Sequence, residues 1–84
     1  MPEGITERIW IIGASSGIGA AVAQAYAKRG AQVIVSARSE APLRQLAQSI
    51  GAQPVACDVG DRASLEAAAD AIDPAFLLVT IPVS

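Results

Sequence analysis

Arg8-Ile9-Trp10-Ile11-Ile12-Gly13-Ala14-Ser15-Ser16-Gly17-Ile18-Gly19 is the stretch that decides the fold. It opens with a β-branched and aromatic run that shows no polar alternation. That is the pattern of a strand buried on both faces. A glycine-rich turn follows. From Gly17 to Arg29 the residues suit a helix, with Ile18, Val22, Ala25 and Tyr26 on one stripe. Lys28 and Arg29 occupy its last turn, where cations favour the negative end of the dipole, and Gly30 stands just beyond.

The same alternation continues outward. Gln32 to Ala37 reads as a second strand. Ser39 is placed to cap a second helix at about Ala41–Ile50, with Pro42 tolerated in its first turn. Leu43, Leu46, Ala47 and Ile50 form that helix's apolar stripe, and Gly51 ends it. Pro54 to Asp58 is a third strand. Asp61 caps a third helix reaching Ile72, with Leu65, Ala68, Ala69 and Ile72 inward. Phe76 to Ile81 is a fourth apolar run. Strands joined by helical crossovers run parallel, and the crossovers are right-handed. The expectation is an α/β fold: a Rossmann-type parallel sheet, β-α-β-α-β-α-β, in strand order 3-2-1-4. Residues 1–84 then form one half of such a domain, with no internal boundary.

Composition removes several classes of function. The formal net charge of -2 provides no basic footprint for nucleic acid or anionic lipid. One Trp, one Tyr and one Phe argue against a base-stacking surface. A single cysteine excludes an intrachain disulfide framework, and the absence of histidine makes a structural zinc site implausible. No apolar run reaches the ~18 residues that a membrane span needs. Met1-Pro2-Glu3-Gly4 lacks the basic and apolar regions of a signal peptide. A cytoplasmic chain is expected. With 84 residues, the core is small and its stability margin thin.

The chemistry lies in the first turn. A phosphate needs a backbone that approaches closely and aims its N–H groups outward. Gly13, Gly17 and Gly19 have no Cβ to obstruct it. The helix that begins there adds unpaired N–H groups and a positive dipole end. Ser15 and Ser16 can add hydroxyl donors. The alternative is a tight strand-to-helix turn with no ligand. Its position between a buried strand and an amphipathic helix weighs against that alternative.

The spacing Gly13-x-x-x-Gly17-Ile18-Gly19 resembles the cofactor loop of the short-chain dehydrogenase/reductase family. Ala21, Ala23, Gly30-Ala31, Val33, Arg38 and Asp58-Val59 extend the resemblance to about Val79. It implies that Gly13, Gly17, Ile18 and Gly19 line the adenosine and pyrophosphate path. It also implies that Asp58 and Val59 contact the adenine. NAD-preferring enzymes place an acidic residue at the end of strand two. Here Ser36-Ala37-Arg38 stands instead, and Arg38 offers a planar cation for a 2′-phosphate. NADP is therefore the expected cofactor. The plainer readings are a solvated surface arginine at Arg38 and a turn-capping aspartate at Asp58.

The sequence also departs from the family pattern. Ile12 stands where threonine is common, and Leu77-Leu78-Val79 leads into Thr80-Ile81-Pro82-Val83 where the family has Asn-Asn-Ala-Gly. The family's catalytic Ser, Tyr and Lys lie on a fifth strand and the helix after it, and these residues hold no counterpart. Tyr26 lies in the first helix without a lysine three or four positions on, and Cys57 reads as a small core residue. The expectation is a truncated, NADP(H)-binding half of an oxidoreductase, without hydride transfer of its own. The alternative is a non-enzymatic half-Rossmann module that self-assembles. Under either reading a homo-oligomer is expected, formed through the uncharged fourth strand and the sheet face left uncovered around Trp10.

Overall fold

The apolar run around Trp10 becomes an inner strand of a four-stranded parallel sheet. The computed structural model describes residues 7–13, 17–58 and 60–80. In chain order the elements are β1 (Arg8–Ile12), α1 (Gly17–Lys28), β2 (Gln32–Ser36), α2 (Glu40–Ile50), β3 (Gln53–Pro54), α3 (Arg62–Ala71) and β4 (Leu77–Thr80). The strand order is β3-β2-β1-β4, the expected Rossmann-type order. β1 pairs with β2 from Arg8↔Gln32 to Ile12↔Ser36, and with β4 from Ile9↔Leu77 to Ile12↔Thr80.

Inner position explains the lack of alternation in β1. Ile9 and Ile11 pack on one face with Val33, Val35, Ala23, Leu43, Leu46 and Ala47, beneath α1 and α2. Trp10 and Ile12 pack on the other face with Ile34, Cys57, Ala68 and Ile72, beneath α3. Both faces of the strand meet apolar partners, so every position from Ile9 to Ile12 is hydrophobic. α1 and α2 thus share one face of the sheet, and α3 takes the other.

Several local expectations are corrected. The buried positions of α1 are Gly19 and Ala23; Ile18 and Ala25 are exposed, and Val22 and Tyr26 only partly buried. Small residues let α1 lie close to the sheet, and that turns the bulkier Ile18 outward. In α3, Ala68 is buried but Ala69 is exposed. β3 spans only Gln53–Pro54 against the expected Pro54–Asp58; Pro54 sits on the edge strand, where its missing N–H faces away from β2 and costs no ladder bond. Hydrogen bonds still follow beyond it, from Val55 N to Val35 O at 2.9 Å and from Cys57 N to Ala37 O at 3.2 Å. β4 is shorter by one residue at its start, and Ile81 lies outside the described residues. Asp61 caps α3 as expected, accepting from Ala63 N and Ser64 N. Ser39 occupies the N-cap of α2, but its side chain makes no capping hydrogen bond.

Trp10 is not bare. It is buried, and its indole Nε1 donates to Ser36 Oγ at 2.8 Å. The exposed apolar surface lies farther out, at Leu77 (63% exposed) and Leu78 (49%) on the edge strand. Among the described residues, no helix is long and apolar enough to cross a membrane, and no cluster of His, Cys, Asp or Glu could hold a metal ion.

Candidate nucleotide-binding site

The carboxyl ends of β1, β2 and β3 bring the singled-out residues to one edge of the sheet. β1 and β4 are adjacent there, and their crossovers lie on opposite faces. In open α/β sheets such a switch point leaves a crevice for ligands. Gly13 leaves β1 with φ 88°, and its N–H donates to Ser36 O at 2.8 Å. Gly17 opens α1 with φ 58°. A side chain at either position would be strained. A Cβ on Gly17 would meet nothing within 4 Å among the described residues, so that glycine is needed for its backbone shape. Gly19 is buried against the sheet, and Ile18 is 73% exposed at the start of the helix. Ser15, Ser16 and Val59 lie outside the described residues.

Beyond β2, Ala37 is buried, while Arg38 and Ser39 are exposed. No ion pair engages Arg38 among the described residues. Glu40, the nearest carboxylate in sequence, pairs with Arg44 at 3.5 Å one turn along α2. Beyond β3, Asp58 is half-buried. Its Oδ1 accepts from Gly60 N at 2.9 Å, and its own N–H donates to Ser64 Oγ at 3.1 Å. The turn-capping role is therefore present, and it holds the carboxylate at the mouth of the edge.

Burial pushes the Cys57 thiol up; a hydrogen bond with Ser64 pulls it down and the charge of Asp58 pushes it up further. A protonated, buried thiol is a core residue rather than a nucleophile. Tyr26 lies beneath the Arg29 guanidinium, 5.4 Å from the ring centroid, and Arg29 pairs with Glu7 at 3.1 Å. That cluster belongs to the far end of α1, away from the glycine turn.

Sequence reasoning missed two contacts at this edge: the indole bond to Ser36 and the Ser64 bond to the backbone of Asp58. The available signal for the first was a serine closing an otherwise apolar strand.

The profile of the family described as short chain dehydrogenase matches residues 7–81, nearly the whole chain. The chain belongs to the short-chain dehydrogenase family. A relative in that family, D-threitol dehydrogenase from Mycolicibacterium smegmatis, is 44% identical over 79 residues; the match covers 88% of this chain and 30% of the relative. The 3-ketoacyl-(acyl-carrier-protein) reductase from Brucella melitensis, solved in complex with NADH, superposes with a TM-score of 0.74 at 36% identity. It covers 77% of this chain and 28% of the reductase. L-Sorbose reductase from Gluconobacter frateurii, solved with NADPH and L-sorbose, has a TM-score of 0.72 at 32% identity, covering 84% and 30%. This short-chain dehydrogenase chain thus spans under a third of the length of these relatives.

Proposed function

We propose that residues 1–84 form the adenosine-side half of an NADP(H)-binding domain in an oxidoreductase of the short-chain dehydrogenase type, working in the cytoplasm. The observation that carries the cofactor choice is the end of β2. Arg38 is exposed and free of ion pairs among the described residues, while Ser36 and Ala37 are buried and no carboxylate takes their place. Gly13, Gly17 and the exposed Ile18 supply the pyrophosphate turn beside it, and Asp58 closes the adenine end. Family structures solved with NADH and with NADPH support a nicotinamide dinucleotide as the ligand class. When bound, that cofactor would supply the hydride chemistry; this chain's residues bind and orient its adenosine half. A scaffold used only for assembly has no need of a left-handed Gly17 or an unpaired Arg38.

Titration calorimetry with NADPH and NADH tests this reading. The 84-residue chain is expected to bind NADPH more tightly, by about tenfold, the worth of one charge-assisted contact. Equal affinities remove the basis for NADP, and no binding of either removes the nucleotide site.

Self-association belongs to the same proposal. Leu77 and Leu78 stand exposed on the edge strand, and β4 has one neighbour, β1, among the described residues. A hollow of about 420 Å³ beside it is lined by Trp10, Asp70, Ile72, Asp73, Phe76 and Leu78 among others. An uncharged open edge is a template for a second strand. A two-fold pair of β4 strands, from two copies of the chain, covers both the edge and the hollow. Leu78→Lys is expected to convert a dimer to monomer in sedimentation at micromolar concentration. A wild-type chain that sediments as a folded monomer ends the idea.

A further inference from the structure

The hydrogen bond between Trp10 and Ser36 has a role beyond packing. Ser36 is fully buried, the only polar residue in the core among the described residues. A small apolar side chain would fill the same space without needing a partner. The hydroxyl instead accepts from the indole Nε1 at 2.8 Å. Register places Trp10 opposite Ile34 and Ile12 opposite Ser36, so the bond runs diagonally towards the carboxyl end of β2. Two backbone bonds converge on the same spot. Gly13 N reaches Ser36 O at 2.8 Å from β1, and Cys57 N reaches Ala37 O at 3.2 Å from the β3 side. Ser36 and Ala37 are thereby fixed from both neighbouring strands, and Arg38 is the next residue. Arg38 itself is exposed, so its placement depends on this stem.

We propose that Trp10 is a positioning residue for cofactor selection: its indole N–H, held by Ser36 Oγ, fixes the stem of Arg38 against the Gly13 turn and so sets the grip on a 2′-phosphate. The proposal rests on the NADP reading above. The distance from the pyrophosphate turn to the guanidinium is then constrained at its base. Removing the indole donor leaves the backbone bond from Gly13 N to Ser36 O in place, so the glycine turn keeps its anchor and the arm is what weakens. The loss falls on ligands that carry the 2′-phosphate and spares those that lack it.

The decisive variant keeps the shape of Trp10 and deletes its donor. Chemical synthesis of the 84-residue chain with 3-benzothienylalanine at position 10 replaces the N–H by sulfur. Calorimetry with NADPH and NADH is expected to show the NADPH:NADH affinity ratio falling by about 3- to 10-fold, the usual worth of one hydrogen bond, with NADH affinity held within about twofold. Ser36→Ala should act alike, and Ser36→Thr, which keeps the hydroxyl, should retain the ratio. In an Arg38→Ala background the replacement at position 10 should change nothing further. An unchanged ratio in the benzothienyl chain, or an equal fall for both cofactors, overturns the positioning role and leaves the Arg38 reading standing. An unmodified chain that does not discriminate overturns the Arg38 reading, and this proposal with it.

Discussion

Arg38→Asp is expected to abolish the preference for NADPH, with a fall in its affinity of about 10- to 1,000-fold. Two effects add. The guanidinium is lost, and a charge-assisted contact to phosphate is worth ~1.5–3 kcal/mol. A carboxylate then faces the 2′-phosphate, but Arg38 is exposed, so water screens the repulsion to ~1 kcal/mol or less at contact distance. The lost contact therefore outweighs the new repulsion. NADH should gain, because a carboxylate at the end of β2 can hold the ribose hydroxyls. Salt separates the contributions: raising ionic strength should weaken NADPH binding to the wild type far more than to the variant. An NADPH affinity unaffected by the substitution would show that Arg38 is only a solvated arginine ahead of α2.

Leu43→Ala carries the largest expected effect on stability. Leu43 is 1% exposed at the start of the apolar stripe of α2, in one core cluster with Ile11, Val35 and Ala47. Truncating a buried leucine costs ~2–5 kcal/mol through lost transfer energy and the cavity left behind. Folded domains hold ~0.05–0.15 kcal/mol per residue, so a chain of this length has ~4–13 kcal/mol in all. The substitution removes a large part of that, and the melting temperature should fall by about 10–30 °C. Ile18→Ala is the contrast. Ile18 is an equally bulky aliphatic, placed by its spacing on the stripe of α1 with Val22 and Tyr26, yet it is 73% exposed. Its loss should change stability by no more than ~0.5 kcal/mol. Thermal and urea unfolding followed by circular dichroism compare the two. A Leu43→Ala cost below that of Ile18→Ala would contradict the packing described.

Element order and sheet topology were legible in the residues themselves. The run at Ile9–Ile12, the glycine turn and the crossovers ending at Gly30 and Gly51 leave few ways to build a parallel sheet. Strand order followed from them, as did the gathering of Gly13, Gly17, Arg38 and Asp58 at one edge. Ends of strands in a parallel sheet must share an edge whatever the side chains do.

Side-chain orientation was a different matter, because it depends on distances between elements. Which way α1 is turned was decided by close packing: Gly19 and Ala23 permit a short approach to the sheet, and Ile18 is displaced to solvent. Periodicity ranks residues by hydrophobicity and so favoured the bulkier stripe. β3 kept only Gln53 and Pro54 as regular strand, although single backbone bonds to β2 continue at Val55 and Cys57. The uniform apolar run of β1 concealed the polar atom of Trp10, whose partner lies 26 positions away. A hydrogen bond between side chains on neighbouring strands requires register, and only the assembled sheet supplies it.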